Sequence, residues 1–477
     1  MSTAPSPSTA LALEALLGPD CVSTAPADLE PFLTDHRRLY HGRAAALVRP
    51  RTVDQVAAIL RCCHEHRIGV VPQGGNTGYC GGATPDESGT QIILSLARLN
   101  AIRRLDPLDY SMVAEAGCLL ANLQQAALDA GRFFPLMLGS AGSCQLGGNL
   151  STNAGGVNVL RYGMMRELVL GLEVVLPDGR VLPSLTALRK DNTGYDLKSL
   201  FLGAEGTLGV ITAASLKLFP HVAARATAFA AVKSVRAAVE LLELLRTAAD
   251  DRVSSFELIP RLAVELAVRH IPGVTAPLAG SHEWYVLAEL GSTRTDAGLD
   301  ELLEHALGEG LQRGLVLDAV LAQNARQAQA FWHLREHIPA AQTAAGASLK
   351  HDLSVPVAAL PEFVERGAAW VREHVPEGRL VAYGHAGDGN LHFNISQGPG
   401  TAGGALLARA QEVQRALHDL VREFAGSFSA EHGIGRLKVG ELERYAPAVE
   451  LDLMHAVKRA FDPHGIMNPG KVLRRSS

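Results

Sequence analysis

Two short segments in the last third of the chain bring together residue types that bind metal ions and move protons. The first, LVAYGHAGDGNLHFNI (380–395), has two β-rich runs around a glycine-rich turn, which predicts a hairpin. A hairpin places His385 and His392 on neighbouring strands, and Asn394 shares the face of His392 because side chains alternate along a strand. The second segment, SAEHGIG (429–435), supplies Glu431 and His432. Two imidazoles and a carboxylate leave positions open on zinc or a similar divalent ion, so the pattern predicts a catalytic metal site.

The alternative is that these residues are ordinary hairpin histidines whose nitrogens are satisfied by hydrogen bonds. For a lone histidine this alternative is the better interpretation. The HxxxxxxH spacing on a glycine-rich turn, together with a separate Glu-His pair, favours the metal site instead.

Three glycine-rich segments in the first half of the chain predict a binding surface for a polar, extended ligand. They are VVPQGGNTGYCGG (70–82), GSCQLGGNLSTNAGG (142–156) and DNTGYDLKSLFLGAEGTLGVIT (191–212). Glycine lets backbone N–H groups converge on a phosphate without an intervening Cβ, so a nucleotide diphosphate is the natural occupant. None of the three is a GxGxxG fingerprint or a Walker A loop. A single such loop would be explained equally well as a tight turn, whereas three together favour a ligand.

Composition excludes several other classes of protein. The 477 residues carry 44 basic and 49 acidic side chains, a net charge of -5, which argues against nucleic acid or an anionic membrane as partner. Six cysteines lie in the first third without a CxxC pair, so we expect reduced thiols. The N-terminal residues lack a secretory pattern, and no run of about 18 apolar residues predicts a transmembrane segment. From these features we predict a cytoplasmic enzyme.

The elements that position these motifs follow from hydrophobic periodicity. Residues 53–67 predict a helix that leads into a buried strand at 68–72, and residues 168–183 predict a hairpin. Beyond residue 222, helices alternate with strands, as in a separate α+β domain. The last stretch reads as short and loop-rich. The predicted division is an N-terminal segment (1–42), a cofactor domain (43–221), a substrate and metal domain (222–426) and a C-terminal segment that packs back on the cofactor domain (427–477).

The three glycine-rich segments, in this order, resemble the FAD-binding domain of the vanillyl-alcohol-oxidase (PCMH-type) flavoproteins. The resemblance implies an α+β fold in which two small subdomains hold FAD. Many members tether the flavin through a histidine near the first loop, which has none here, so we expect non-covalent FAD. The residues that the resemblance assigns to the cofactor are Pro72, Gln73, Gly74, Gly75, Asn76, Thr77, Gly78, Gly142, Ser143, Gly147, Gly148, Asn149, Thr152, Asn153, Glu205, Gly206, Gly209 and Ile211.

The hairpin and the SAEHGIG segment resemble the C-terminal domain of the FAD-linked D-2-hydroxy acid dehydrogenases, and the likeness extends from about residue 43 to 473. It implies that His385, His392 and Glu431 bind the metal, zinc being expected and manganese or cobalt the alternatives. It assigns His432 as the catalytic base and Asn394 as a substrate contact. In the segment NPGKVL (468–473), Asn468 is the implied flavin contact.

Two further motifs resemble the hydroxyglutarate branch of that family. FWHLREHIPAAQ (331–342) and KHDLSVP (350–356) supply Arg335 and Lys350, which would bind substrate carboxylate. Four residues after Arg335, where that branch tends to carry a hydroxyl, this chain has Pro339, which donates no hydrogen bond.

The resemblance as a whole implies a dehydrogenase that oxidises D-2-hydroxyglutarate or D-malate to the 2-oxo acid, with D-lactate as the alternative substrate. An electron-transfer flavoprotein or a quinone-linked carrier would accept the electrons, and we expect a homodimer. Two other classes remain as alternatives, a metal hydrolase and a non-enzymatic flavoprotein subunit. The hydrolase leaves the glycine-rich loops unexplained, and a scaffold does not need the metal ligands.

Overall fold

The computed structural model describes residues 7–475. The helices are α1 (Pro7–Leu17), α2 (Pro26–Leu33), α3 (Val53–His66), α4 (Leu120–Asp129), α5 (Leu146–Ser151), α6 (Val159–Tyr162), α7 (Lys198–Phe201), α8 (Val235–Ala248), α9 (Arg261–His270), α10 (Leu299–Gln312), α11 (Ala325–Glu336), α12 (Ile338–Ala345), α13 (Leu360–His374), α14 (Gly403–Ala408), α15 (Ala410–Glu423), α16 (Val439–Tyr445) and α17 (Ala448–Phe461). Short 3-10 turns cover Pro19–Cys21, Met165–Leu168 and Val357–Ala359.

The strands fall into separate sheets. They are β1 (Val22–Ser23), β2 (Ala46–Val48), β3 (Val70–Gln73), β4 (Ile92–Ser95), β5 (Ile102–Asp106), β6 (Ser111–Glu115), β7 (Arg132–Phe133), β8 (Val169–Val175), β9 (Val181–Ser184), β10 (Val210–Lys217), β11 (Phe219–Pro220), β12 (Ala224–Val232), β13 (Val253–Pro260), β14 (Trp284–Ser292), β15 (Val316–Leu321), β16 (Ser348–Leu349), β17 (Asp352–Ser354), β18 (Gly378–Tyr383) and β19 (Asn390–Gln397).

The chain divides into two compact units by the contacts among its residues. The first contains the described residues up to Gly156, then 163–221, then those from Glu431 onward. The second contains Val157–Tyr162 and Val222–Ala430. The first unit is therefore assembled from three separate stretches of chain.

The first unit is built on two main sheets. Strands β2, β4 and β3 pair in parallel, with β1 antiparallel at one edge. Strands β5-β6-β10-β8-β9 form an antiparallel sheet in that order. Helix α3 begins where the Thr52 side chain accepts a hydrogen bond from the Gln55 N–H, and it buries one apolar stripe. Strand β3 runs directly into the first glycine-rich segment, so this parallel sheet fixes where that loop starts.

The second unit contains an antiparallel sheet with helices on both faces. Its strand order is β13-β14-β12-β15. Phe256 and Leu258 of β13 pack in a core with α8 and α10, whereas Ile259 packs in another core with α9, α11 and α12. Because side chains alternate along a strand, Glu257 shares the face of Ile259 and points toward the α9, α11 and α12 layer. A second, smaller sheet in this unit pairs β19 with β16, β17 and β18.

The predicted α+β class is confirmed, since largely antiparallel sheets are combined with packed helices. The C-terminal stretch, which we predict to be loop-rich, also contains the helices α16 and α17. No residue of helix α17 is fully buried, and its apolar side chains Leu451, Met454, Val457 and Phe461 lie partly covered on one face. Among residues 7–475, no helix combines the length and the apolar character that a membrane crossing requires.

Candidate functional site

A cavity in the first unit is lined by all three glycine-rich segments, and it has about 940 Å³ of free space including its solvent-open mouth. The predicted cofactor residues that line it are Pro72, Gln73, Gly74, Gly75, Asn76, Thr77, Gly78, Gly147, Gly148, Asn149, Thr152, Glu205, Gly206, Gly209 and Ile211. Gly142, Ser143, Asn153 and Asn468 belong to the same unit but are not among the lining residues. Sequence reasoning did not identify Tyr79, which also lines the cavity.

The glycines are required because the loops approach one another closely. A Cβ on Gly75 would lie 2.1 Å from the carbonyl oxygen of Ser143, and a Cβ on Gly147 would lie 2.8 Å from the Cβ of Ala116 and 3.2 Å from its carbonyl oxygen. By contrast, a Cβ on Gly148 would meet no protein atom within 4 Å. The first two glycines therefore let the loops pack together, and Gly148 leaves room on the cavity side.

The hydrogen-bond donors of the cavity are suited to the phosphate groups of a cofactor. Within the described part of the chain, the backbone N–H groups of residues 75–79 donate to no protein acceptor. A run of such groups in a glycine-rich loop attracts anionic oxygens. The buried Oε1 of Gln145 has no hydrogen-bond partner among the described residues, and buried polar atoms are rarely left in that state without a ligand or water. These features fit a bound dinucleotide such as FAD.

Glu205 connects the third glycine-rich segment to the loop that follows His432. Its Oε1 accepts the Ile434 N–H at 2.7 Å, and its Oε2 accepts the Gly435 N–H at 2.8 Å. Burial raises the pKa of this carboxyl to about 7, although both N–H groups and the charge of Lys438 act to lower it. His432 itself lines the cavity, with its ring 4.7 Å from that of Tyr79, centroid to centroid. The carboxylate thus fixes the backbone that presents the predicted base.

Asn468 joins the C-terminal stretch to two of the glycine-rich segments. Its Nδ2 donates to the carbonyl oxygens of Gly82 at 2.8 Å and Glu205 at 2.7 Å. Its N–H donates to the Val70 carbonyl at 2.8 Å, and its φ of 43° lies in the left-handed region that asparagine tolerates. The Oδ1 atom is buried without a partner among the described residues. Asn468 therefore supports the loops, and its contact to flavin stays a prediction.

In the second unit the hairpin lies where the spacing predicts, but His385 is not on a strand. Strand β18 ends at Tyr383, which pairs with His392 of β19, and His385 lies in the connecting turn. The glycine at 384, with φ 137°, ends the strand early. The ring centroids of the two histidines are 5.7 Å apart, and their ligand-capable nitrogens lie within 4.8 Å of each other. Bonds of about 2.0–2.1 Å hold two ligand nitrogens at most about 4.2 Å apart, so a small rotation of the rings would bring this pair onto one divalent ion.

Each of these histidines has a buried carboxylate beside it that sequence reasoning missed. Glu257 Oε1 lies 2.5 Å from His385 Nδ1. Asp352 pairs with His392 across the β17–β19 ladder, and a carboxylate oxygen lies within 4.8 Å of a ring nitrogen. Carboxylates commonly orient metal-ligating imidazoles from the far side of the ring. The signal in the sequence was a lone charge within an apolar strand, Glu257 in VSSFELIP.

The predicted substrate residues of this unit occupy different environments. Arg335 is buried, with its Nε 2.5 Å from Glu257 Oε2 and its guanidinium 5.0 Å from the Tyr383 ring centroid. Burial acts to raise the pKa of Glu257, but the charges of Arg335 and His385 outweigh it and lower the pKa to about 2. Lys350 is exposed. The structure thus brings Arg335 and His385 to one carboxylate.

Asn394 is buried and already holds two hydrogen bonds. Its Oδ1 accepts the His351 N–H at 3.0 Å, and its Nδ2 donates to Gln342 Oε1 at 3.0 Å. The spacing predicts that Pro339 lies one turn beyond Arg335 on the same helix, but the structure places the two residues on different helices. Helix α11 ends at Glu336, and proline, which favours the first turn of a helix, lies at the start of α12.

Glu431 and His432 belong to the first unit. There Glu431 Oε1 accepts the Gly156 N–H at 2.7 Å, which ties it to the end of the second glycine-rich segment. Its assignment as a third metal ligand stays a prediction.

Comparison with known proteins gives two family matches. The model described as "FAD binding domain" matches residues 44–183, and "FAD linked oxidases, C-terminal domain" matches residues 222–472. D-2-hydroxyglutarate dehydrogenase, mitochondrial, of Arabidopsis thaliana is 39% identical over 466 residues, 97% of this chain and 80% of the relative. The protein of the same name from Bos taurus is 42% identical over 462 residues, 95% of this chain and 81% of the relative.

The fold also matches solved structures. A crystal structure of p-cresol methylhydroxylase with substrate bound aligns with a TM-score of 0.77 at 20% identity, covering 98% of this chain and 97% of that one. The predicted PCMH-type fold is confirmed by this likeness.

The names of the relatives correct one prediction. Both the Arabidopsis and the Bos taurus proteins are named mitochondrial, so the cytoplasmic prediction is wrong. Reduced cysteines and the lack of a secretory pattern were its basis, and neither feature distinguishes one intracellular compartment from another. The chain belongs to the FAD-linked oxidases, the family that includes these D-2-hydroxyglutarate dehydrogenases.

Proposed function

We propose that this protein oxidises D-2-hydroxyglutarate to the 2-oxo acid, with non-covalent FAD as the hydride acceptor. A divalent metal ion, for which zinc is our first choice, binds the substrate in this proposal. The observation that carries the proposal is the pairing of Arg335 and His385 on one buried carboxylate. The shared carboxylate places the guanidinium of Arg335, a group that binds carboxylates, beside the imidazole of His385, which with His392 can bind a metal ion. The names of the relatives support hydroxyglutarate over D-lactate.

The FAD cavity supplies the oxidising half of the reaction. We assign the N–H groups of residues 75–79 to the pyrophosphate and the segments around Gly148 and Gly206 to the remainder of the cofactor. When bound, FAD takes up the hydride that leaves the substrate Cα.

Substrate activation rests on the hairpin. His385 and His392 would hold the metal, and we propose Glu431 as a third ligand. When bound, the ion lowers the pKa of the substrate hydroxyl. Arg335 and Lys350 hold carboxylate oxygens and so fix the substrate. Asn394 contacts the substrate through the hydrogen-bonding capacity that its side-chain amide retains beyond its two protein contacts. A ring nitrogen of His432 accepts the hydroxyl proton, so that the C–O bond gains double-bond character as the hydride departs.

The electrons must then leave the flavin. We propose an electron-transfer flavoprotein or a quinone-linked carrier as acceptor and a homodimer as the assembly. Turnover with each purified acceptor and the mass of the protein in solution test these two points.

Dye-coupled turnover across a set of acids tests the substrate. D-2-hydroxyglutarate and D-malate carry a second carboxylate, so we expect kcat/KM about ten- to a hundredfold above that for D-lactate, and the L-enantiomers to be poor. Arg335→Ala or Lys350→Ala should lower the ratio of kcat/KM for the diacids to kcat/KM for D-lactate. Pro339→Thr should improve D-2-hydroxyglutarate if a hydroxyl there contacts the distal carboxylate, with Pro339→Ala as its control. Equal turnover of D-lactate and the diacids would refute the hydroxyglutarate assignment.

The mode of FAD attachment has its own test. No histidine lies in residues 70–82, so acid or heat should release the flavin into the supernatant. The rings of His36 and His432 both lie near Tyr79, at 5.5 and 4.7 Å between centroids. Flavin that stays on the denatured chain would overturn the assignment, and peptide mapping would show whether either histidine carries it.

A further inference from the structure

Glu257, the carboxylate of the second unit that Arg335 and His385 share, has no role of its own in the proposed chemistry. It lies in the middle of β13, is fully buried, and faces the α11 and α12 layer. Its two carboxylate oxygens have different partners. Oε1 lies 2.5 Å from His385 Nδ1, and Oε2 lies 2.5 Å from Arg335 Nε. A charge in an apolar strand is costly unless it is paired, and the two groups that pair with Glu257 are a proposed metal ligand and a proposed substrate-binding cation.

The contact to His385 determines which ring nitrogen carries the proton. A carboxylate accepts a hydrogen bond, so Nδ1 is the protonated nitrogen, and Nε2 keeps its lone pair for a metal ion. Without Glu257, the ring of His385 is free to take the other tautomer, in which Nε2 carries a hydrogen and cannot ligate.

The contact to Arg335 fixes the plane of the guanidinium. With Nε held by Glu257, the side chain approaches a substrate carboxylate through its Nη groups. The same carboxylate thus sets the orientation of a metal ligand and of a substrate-binding cation.

We propose that Glu257 is a positioning residue that couples metal binding at His385 to carboxylate binding at Arg335. The inference rests on the proposed function and goes beyond it by making the two events interdependent. Metal should tighten the binding of a dicarboxylate, and a dicarboxylate should tighten the binding of metal by the same factor.

Glu257→Gln tests the inference, because it keeps the shape of the side chain and removes its charge. The metal-free protein is titrated with zinc against a chromophoric chelator, which requires no turnover. We expect the Kd for zinc to rise about ten- to a hundredfold, as when other carboxylate partners of ligating histidines are lost. In the zinc-saturated enzyme, we expect KM for D-2-hydroxyglutarate to rise more than KM for D-lactate. Glu257→Asp retains the charge but is one methylene too short to reach both partners, so it should recover part of the zinc affinity.

Glu289→Gln is the matched control. Glu289 is a buried glutamate on the neighbouring strand β14, where it pairs with Arg225 and accepts the Trp332 Nε1–H at 3.0 Å. Its loss should lower thermal stability and leave the zinc Kd at the wild-type value. A Glu257→Gln protein that is folded and binds zinc like the wild type would overturn the role of Glu257.

A second pair of variants covers the case in which Glu257→Gln fails to fold because Arg335 is left buried and unpaired. Arg335→Met removes that cation, so Arg335→Met and Arg335→Met/Glu257→Gln are compared with each other. We expect only the double variant to lose zinc affinity, and equal zinc affinities would refute the inference. Wild-type protein that binds no zinc or oxidises no D-2-hydroxy acid would instead overturn the proposed function, and the Glu257 inference with it.

Discussion

The carboxyl of Glu205 makes a pH-dependent contribution to stability that can be measured. Burial raises its pKa in the folded protein to about 7, from the ordinary value of 4.5. Folding therefore favours the protonated form, so the contribution is fully present below about pH 4.5 and is lost as the pH rises through about 7. Glu205→Gln cannot ionise. The free energy of unfolding of the wild type should accordingly fall, relative to that of Glu205→Gln, between pH 5 and pH 8.

Urea denaturation of both proteins at pH 5, 6, 7 and 8 checks this expectation. Gln offers one acceptor where Glu205 offers two, which adds an offset of about 1–3 kcal/mol that does not vary with pH. A difference in unfolding free energy that stays constant over this range would contradict the raised pKa.

Some of these residues could be found from the sequence, and others could not. The glycines of the first loop and the His385–His392 pair are local patterns, with all members within about a dozen positions. The partner of His385 is 128 positions away on β13, and that of Arg335 is 78 positions away. Contacts of this kind depend on the pairing of whole elements. The sequence shows only that an isolated glutamate in an apolar strand must find a partner.

Helices and strands with a local sequence pattern could likewise be predicted, whereas those that depend on pairing with distant elements could not. Helix α3 has the period of 3.6 residues and was predicted to within one residue at its C-terminal end. Strand β12, ARATAFAAV, was not predicted. Its alanines favour helix, and it is a strand because β14 and β15 pair on either side of it. Tertiary context outweighs local preference there.

The glycine-rich segments carry a prediction that separates packing from ligand binding. Gly75→Ala forces a backbone contact, since its Cβ would lie 2.1 Å from the Ser143 carbonyl oxygen. It should destabilise the protein by about 1–3 kcal/mol even without FAD. Gly148→Ala adds a methyl group that meets no protein atom within 4 Å, so the FAD-free protein should keep its stability. The methyl would occupy ligand space, and the Kd for FAD should rise about ten- to a hundredfold.

Thermal melts of the FAD-free proteins and titration with FAD by flavin fluorescence distinguish the two effects. Gly308→Ala serves as the control, because Gly308 lies within α10 of the second unit and its Cβ would also meet no protein atom within 4 Å. It should leave the FAD Kd unchanged and raise stability slightly, as alanine does in a helix. Unaltered FAD binding by Gly148→Ala would place the cofactor elsewhere.

Metal and flavin should be removable independently of each other. The residues that line the FAD cavity belong to the first unit, whereas His385 and His392 belong to the second. A chelator should therefore abolish turnover while the flavin absorbance stays with the protein, and zinc, cobalt or manganese should restore activity to different degrees. His385→Ala and Glu431→Ala should have the effect of the chelator. Normal turnover by chelated protein would remove the metal from the proposed chemistry.

The order of the chain gives a final prediction, because the first unit cannot be completed until its last residues are made. Val70, at the start of β3, pairs with Met467, and the Val70 N–H donates to the Ile466 carbonyl at 2.8 Å. Asp462 accepts the N–H groups of Ile466 at 3.0 Å and Met467 at 2.8 Å, which fixes this stretch. Contacts that span nearly 400 residues hold the strand from which the first glycine-rich segment emerges.

A chain that ends at Phe461 should consequently fail to retain FAD and should melt at a lower temperature, although it keeps every residue that lines the cavity. A chain that ends at Arg474 keeps these contacts and should purify yellow with the FAD Kd of the full chain. The second unit, which is nearly continuous in sequence, does not include residues 462–477, so zinc binding by its two histidines should suffer less than FAD binding in the shorter chain. If the chain that ends at Phe461 bound FAD as tightly as the full chain, the C-terminal stretch would have no part in forming the cofactor cavity.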